Sequence, residues 1–334
     1  MSGPGGPPGG NGDLAAARAH PEPGVALIFQ HIPKTAGSTL RQVVARQYPA
    51  PQVFVQEPQQ QPATSPYLRY LRGEQDLPAM NRPGFDPNGR FRRELAALPG
   101  DRLEAIHAVI GHLWFGLHEA LPRPATYMTV LRDPLERVLS LFHYHVGFNG
   151  LTGTLDDYLE AGRDFEIDNG QTRYLCGRLP DADVRFVPCT PDMLDRAKRH
   201  LVRAFSVVGT VERFDESLLL MTRVFGWRIP WYEPVNVNRE RPPSRAVPPS
   251  IREHILERNR FDQELYRFAD RLLDERLAEQ QPPIDRAAVR GFRRSNLLQR
   301  HAALRRIYPL ARPVLRTARS AGRGVRRLLG VQGP

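Results

Sequence analysis

Lysine is nearly missing from this chain. Of 47 basic residues in 334, only Lys34 and Lys198 are lysines. An indifferent basic position is written Arg here. A lysine inside a short polar motif therefore points to a need for a compact ammonium, which a planar guanidinium does not replace. Cysteine is scarce too: Cys176 and Cys189 make no disulfide framework and read as two free thiols. No stretch approaches 18 uninterrupted apolar residues, so no membrane-spanning helix is expected. The opening MSGPGGPPGGNG lacks the basic-then-apolar order of a secretory signal. No Cys/His or paired-carboxylate cluster has metal-site spacing. The phosphate-loop pattern G-x-x-x-x-G-K-[ST] is absent as well. Acidic residues are missing from 286–334, which carries thirteen arginines. That alone exceeds the net charge of +11, so residues 1–285 are slightly acidic. The basic character belongs to the C-terminal segment, and the body does not have the charge of a nucleic-acid binder.

What is present reads as an alternation of strands and helices. The hydrophobic fraction of 41% suits a substantial core. Residues 1–23, rich in Gly, Pro and Ala, are expected to be disordered. Apolar runs predict strands at Val25–Phe29, Ala108–Ile110, Thr126–Leu131 and Phe205–Gly209. Helical spacing predicts helices at Gly37–Gln47, Pro134–Val146, Pro191–Arg203, Glu212–Phe225 and Ile251–Glu279. The Pro/Gln-rich stretch Pro49–Pro66 reads as a loop, and Pro242–Pro249 as a break. Such alternation implies a mostly parallel sheet covered on both faces. Three segments follow: a tail over 1–23, one α/β domain over 24–280, and an arginine-rich tail over 281–334, amphipathic helical or disordered.

Two strand-to-helix corners carry the chemistry. HIPKTAGSTL, His31–Leu40, follows the first strand. The first N–H groups of a helix lack intrahelical partners and sit at the positive end of its dipole. Lys34 adds a charge, Thr35, Ser38 and Thr39 add hydroxyls, and Gly37 permits close backbone approach. The stretch therefore suits an anion; the alternative is an ordinary turn with an N-cap serine. TVLRDPLERVLSLFHYH, Thr129–His145, repeats the arrangement. Arg132 stands at the carboxyl edge of the sheet, where ligands bind in parallel α/β folds. Asp133 caps the helix and Pro134 begins it. Ser140 lies two helical turns on. The competing reading pairs Arg132 with Glu136 or Asp133.

PKTAGST after a strand, with RDPLERVLS about a hundred residues later, resembles the sulfotransferases that use 3′-phosphoadenosine 5′-phosphosulfate (PAPS). Within them the chain resembles the branch of uronyl and heparan sulfate 2-O-sulfotransferases and their bacterial relatives. The resemblance covers roughly Val25 to Arg276. It implies a P-loop-NTPase-like three-layer α/β sandwich and PAPS as donor, with no metal. It also implies that Lys34, Thr35, Ala36, Gly37, Ser38 and Thr39 hold the 5′-phosphosulfate, and that Arg132 and Ser140 hold the 3′-phosphate.

Further assignments rest on the same resemblance. His112, in VIGHLWFGLHEAL after a short strand, matches the catalytic base, while His118 reads as a packing residue. Lys34 doubles as the group that stabilises charge on the donor. A loop over Pro234–Arg245 would close on the nucleotide through Arg239, Arg241 or Arg245, with Arg241 as the candidate. Asn169, Gln171 and Arg173, in DNGQTRYLCG, would lie near the acceptor cleft; the alternative is a helix with a solvated polar face. The expected activity is sulfuryl transfer to a hydroxyl, on a carbohydrate or glycolipid. A bacterial enzyme is expected, cytoplasmic or peripheral at the inner membrane face. The C-terminal segment suits an anionic membrane surface, an acidic polymer or a solvated tail. Two rivals are a P-loop-like kinase, whose lysine would follow the glycine, and a non-catalytic polyanion or membrane binder.

Overall fold

The computed structural model describes residues 24–55, 66–74, 85–228, 231–234 and 243–299. The expected tail over 1–23, the candidate Arg241 and the segment from 300 onward lie outside them. In chain order the strands are β1 (Ala26–Gln30), β2 (Val53–Val55), β3 (Ala108–Gly111), β4 (Ala125–Leu131) and β5 (Phe205–Thr210). The helices are α1 (Gly37–Ala45), α2 (Pro66–Leu71), α3 (Gly89–Ala96), α4 (Gly100–Glu104), α5 (Pro134–Phe148), α6 (Leu155–Ala161) and α7 (Gly170–Cys176). They continue with α8 (Pro191–Ala204), α9 (Phe214–Val224), α10 (Pro249–Arg258) and α11 (Arg260–Ala278). A further helix spans 286–299.

All five strands among the described residues are parallel, in the order β2-β3-β1-β4-β5. β1 sits at the centre and is buried along its length. Side chains alternate across a strand, and β1 feeds two cores accordingly. Leu27 and Phe29 pack with Leu40, Val43 and Val44 of α1 and with α9 on one face. Ala26 and Ile28 pack with α3, α7 and α8 on the other. This is the three-layer α/β sandwich expected from the sequence. α5, α6 and α10 close a smaller apolar cluster around Val138, Leu141, Leu159 and Ile255.

Three expectations need correction. The stretch read as loop from Pro49 contains β2, an edge strand of three residues, too short to show a period. The single helix expected over Ile251–Glu279 is two helices, because Asn259 ends α10 and its side chain turns inward to the Ile167 and Ile255 carbonyls. The arginine-rich segment begins inside the folded body: Ile284, Val289 and Phe292 are buried in the α1/α9 core. Arg293 also pairs with Asp215 at 2.6 Å.

Candidate active site

The carboxyl ends of β1, β3 and β4 deliver His31, His112 and Arg132 to one edge of the sheet. Between β1 and α1 the backbone takes an unusual path. Lys34 (φ 67°) and Ala36 (φ 59°) both adopt the left-handed conformation. Each such non-glycine residue costs on the order of 1–2 kcal/mol. Strain of this kind persists where surrounding contacts over-determine it, and the contacts are visible. Thr35 is buried and its hydroxyl donates to the Ile32 carbonyl at 2.8 Å. Arg137 Nε donates to the Pro33 carbonyl at 3.1 Å. Arg132 Nη1 donates to the Lys34 carbonyl at 3.2 Å.

The N-cap of α1 is Ala36, which offers no side-chain cap. The turn with an N-cap serine is therefore excluded: Ser38 lies one residue inside the helix. The N–H groups of Thr39 and Leu40 reach back to the Ala36 carbonyl. The first turn thus presents a positive helix end, bordered by Lys34 and Arg132, with no acidic residue in it. This donor set fits a sulfated or phosphorylated group.

Lys34 is half-buried, and its Nζ lies 4.3 Å from the centre of the Tyr144 ring. Burial, reinforced by the nearby Arg132 charge, lowers its pKa to about 8. Arg132 also faces Glu136 of α5 at 3.6 Å, so the pairing with that helix and the approach to the loop coexist. Ser140 falls between Arg137 and Tyr144 on the α5 face that meets the loop. It is three residues from one and four from the other, which is neighbour spacing on a helix.

His112 Nδ1 lies 3.1 Å from the His31 carbonyl oxygen. A carbonyl only accepts, so Nδ1 carries the proton and Nε2 of the neutral ring keeps its lone pair. Burial lowers the His112 pKa to about 4. The His31 ring stacks on His112 with centroids 4.2 Å apart, and burial holds its pKa below the usual value too. His31 also explains Gly37: a Cβ there would fall inside the imidazole. The two histidines, with Ser38, Arg41 and Gln42, wall a cavity of about 230 Å³. His118 is a packing residue, buried with Nδ1 2.9 Å from the Tyr127 hydroxyl.

The three expected acceptor residues are not at the cleft. Asn169 Nδ2 donates to the Arg258 carbonyl, and Oδ1 accepts from the Phe261 and Asp262 N–H groups. Arg173 Nη1 donates to the Val184 and Val187 carbonyls, both at 2.7 Å. Gln171 holds the Arg132 backbone, accepting from its N–H and donating to its carbonyl, each at 2.9 Å. All three side chains are buried. Their hydrogen-bonding capacity is spent on the protein, so none is a substrate ligand. Gln171 acts on the site only by fixing Arg132. The alternative of a solvated face fails equally, since every residue of α7 is buried.

Sequence reasoning passed over Arg137 and Glu166. Arg137 is fully buried and ties Pro33 to Glu166, whose Oε2 it meets at 2.6 Å. Burial pushes the Glu166 carboxyl up to about 7, against the pull of Arg137. Gly170 makes room for this pair, because a Cβ there would lie 2.7 Å from Arg137 Nη1. The spacing of Arg137 within RDPLERVLS was readable, but one arginine among so many carries no contrast.

A family model described as galactose-3-O-sulfotransferase matches residues 72–308. The chain belongs to the galactose-3-O-sulfotransferase family. It is therefore of the PAPS-dependent sulfotransferase kind expected from PKTAGST and RDPLERVLS, and the matched model names the galactose-3-O branch. Among curated proteins it is 27% identical to galactose-3-O-sulfotransferase 3 of Bos taurus over 229 residues, 64% of this chain and 52% of that protein. It is 29% identical to galactosylceramide sulfotransferase of Mus musculus over 249 residues, 66% of this chain and 54% of that one. The chain thus spans about half the length of these family members. A solved sulfotransferase from Alicyclobacillus acidocaldarius aligns with 80% of this chain and 98% of its own at 14% identity and a TM-score of 0.40. A mouse sulfotransferase complexed with PAP aligns at 15% identity and a TM-score of 0.33, covering 74% of this chain and 67% of that one.

Proposed function

We propose that the protein transfers a sulfuryl group from PAPS to a carbohydrate hydroxyl, the 3-hydroxyl of a galactose residue. The observation that carries this reading is the juxtaposition of an uncapped helix start and Lys34 with a neutral histidine whose Nε2 lone pair is available. PAPS supplies the activated sulfuryl group. The first turn of α1, Ser38 and Thr39 hold the phosphosulfate end. Lys34 neutralises charge building on the oxygen that leaves sulfur. Arg132 and Ser140 suit the 3′-phosphate, and Arg241 is the proposed closing residue. His112 Nε2 accepts the proton of the attacking hydroxyl. Such transfer is largely a matter of positioning and charge neutralisation.

The names of the family members support galactose as acceptor, in a glycan or a glycolipid. The catalytic unit is proposed to run from residue 24 through the helix at 286–299. Leu297 and Leu298 are exposed near the end of that helix, and arginines follow. This supports peripheral contact with an anionic membrane surface. No helix among the described residues is long and apolar enough to cross one. A bacterial cytoplasmic setting is the accompanying proposal; it draws no support from the curated relatives, which are mammalian.

Thermal melting with adenosine 3′,5′-bisphosphate (PAP) against ATP tests the donor. Stabilisation by PAP and not by ATP is expected, and the reverse would favour a kinase. The pH dependence of kcat/KM tests the two groups, since it reports the free enzyme. His112 must be neutral, so the rate falls as pH drops through about 4. Lys34 must be charged, so it falls as pH rises through about 8. An acid limb that persists unchanged in the residual activity of His112→Asn would show that His112 is not the base.

A further inference from the structure

The cavity between α1 and the carboxyl end of β3 has a composition the donor does not explain. It is lined by Ile110 and Gly111, by His31 and His112, and by Ser38, Arg41 and Gln42 of α1. Its volume is about 230 Å³. Pockets for drug-sized ligands start near 300 Å³, so a whole nucleotide does not fit, whereas one pyranose ring does. A sugar ring is amphipathic, with hydroxyls around its edge and C–H groups on its faces. Ile110 and Gly111 suit the C–H groups, and the Ser38, Arg41, Gln42 and imidazole polar groups suit the hydroxyls.

The placement relative to the reacting groups is specific. His112 forms one wall, so a ring in the cavity brings a hydroxyl to its base. Ser38 belongs to both the cavity and the first turn of α1, so the cavity opens onto the loop that suits the phosphosulfate. Arg41 lies one helical turn beyond Ser38, on the same face of α1. Its charge reaches both histidine rings and disfavours their protonation.

Resting on the sulfotransferase reading above, we propose that this cavity is the acceptor subsite, and that Arg41 determines specificity by donating to the hydroxyl adjacent to the one that attacks. In a galactoside attacked at O3 the neighbours are the 2- and 4-hydroxyls. Arg41 reads one of them, while Ile110 and Gly111 meet the C–H surface of the sugar ring. A guanidinium bound to one neighbouring hydroxyl fixes which oxygen is presented to His112 Nε2.

The test uses the full chain, PAPS, methyl β-D-galactoside and its 2-deoxy and 4-deoxy analogues, with Arg41→Ala and Arg41→Lys. A hydrogen bond to a charged donor is worth enough for a loss of about ten-fold or more in acceptor kcat/KM. Arg41→Ala is expected to show that loss with the parent sugar, mainly through KM. The same variant should show almost no loss with one of the two deoxy analogues, because the partner hydroxyl is already missing. Arg41→Lys should recover part of the parent activity. The thermal shift by PAP should be unchanged, and methyl β-D-galactoside should bind the PAP-saturated protein. Equal losses with both analogues, a PAP shift reduced by Arg41→Ala, or competition between PAP and the galactoside would overturn the subsite. Transfer to galactosides that is indifferent to Arg41 would overturn it alone. No transfer to any galactoside by the wild type, with the PAP shift intact, would overturn the acceptor reading and the subsite together.

Discussion

The corners opening α1 and α7 are built alike and used oppositely. Each starts with a left-handed non-glycine residue, Ala36 or Asn169, followed by a glycine as the first helical residue, then two polar side chains, Ser38 and Thr39 or Gln171 and Thr172. At α7 the free N–H groups are answered from within. The buried Asp262 carboxylate accepts from Gln171 N at 3.0 Å and from Thr172 N and Oγ1 at 2.7 Å each. At α1 no side chain among the described residues caps the helix, and Lys34 and Arg132 border it. One helix start holds an anion the chain supplies. The other is the one proposed to receive an anion from outside the chain. A polar, glycine-containing helix start is thus not a ligand site by composition; it becomes one when the fold brings it no carboxylate.

The largest effect that would break this contrast concerns the open corner. Lys34→Ala should slow transfer by on the order of 10² to 10³, the cost of losing one charge-stabilising contact at a reacting centre. Far-UV circular dichroism and melting should show the fold retained. Transfer within a few-fold of wild type would show that the corner is not where charge develops. Next comes the closed corner. Asp262→Ala leaves two N–H groups and one hydroxyl without their acceptor, which should cost about 3 kcal/mol of unfolding free energy in urea titrations. An unchanged midpoint would mean the α7 corner needs no internal anion. The smallest effect tests strain. Ala36→Gly removes the Cβ that disfavours the left-handed conformation and adds chain entropy to the unfolded state, so a net gain below about 1 kcal/mol is expected. A clear loss would show that the Ala36 methyl packs productively.

The candidate edge was readable where local chemistry decides it. β1 is an apolar run followed by a proline, a lysine and a glycine, and the helix beginning at Gly37 stands where the spacing of Leu40, Val43 and Val44 puts it. β4 and α5 followed from TYMTVL and from Asp133-Pro134, and the Asp133 carboxylate does accept from Glu136 N at 3.0 Å. The misreadings share a cause. Asn169, Gln171 and Arg173 look like ligands because they are polar and adjacent, yet whether their side chains meet substrate or protein depends on the folded surroundings: Asn169 meets Arg258, Phe261 and Asp262, Gln171 meets Arg132, and Arg173 meets Val184 and Val187. His31 stood in plain view within HIPKTAGSTL. Its role beside His112 follows only from the pairing of β1 with β3, which sets Gln30 against Gly111.

By itself the sequence determined the alternation of strands and helices, the two strand-to-helix corners and their donor types, because turn geometry, apolar periodicity and helix-end electrostatics act over a few residues. Only the tertiary structure decided which corner stays open, which arginine is buried as a clamp, and that two histidines share one cavity. Those outcomes depend on distant partners brought within hydrogen-bonding range, and burial multiplies the cost of leaving any polar group unpaired.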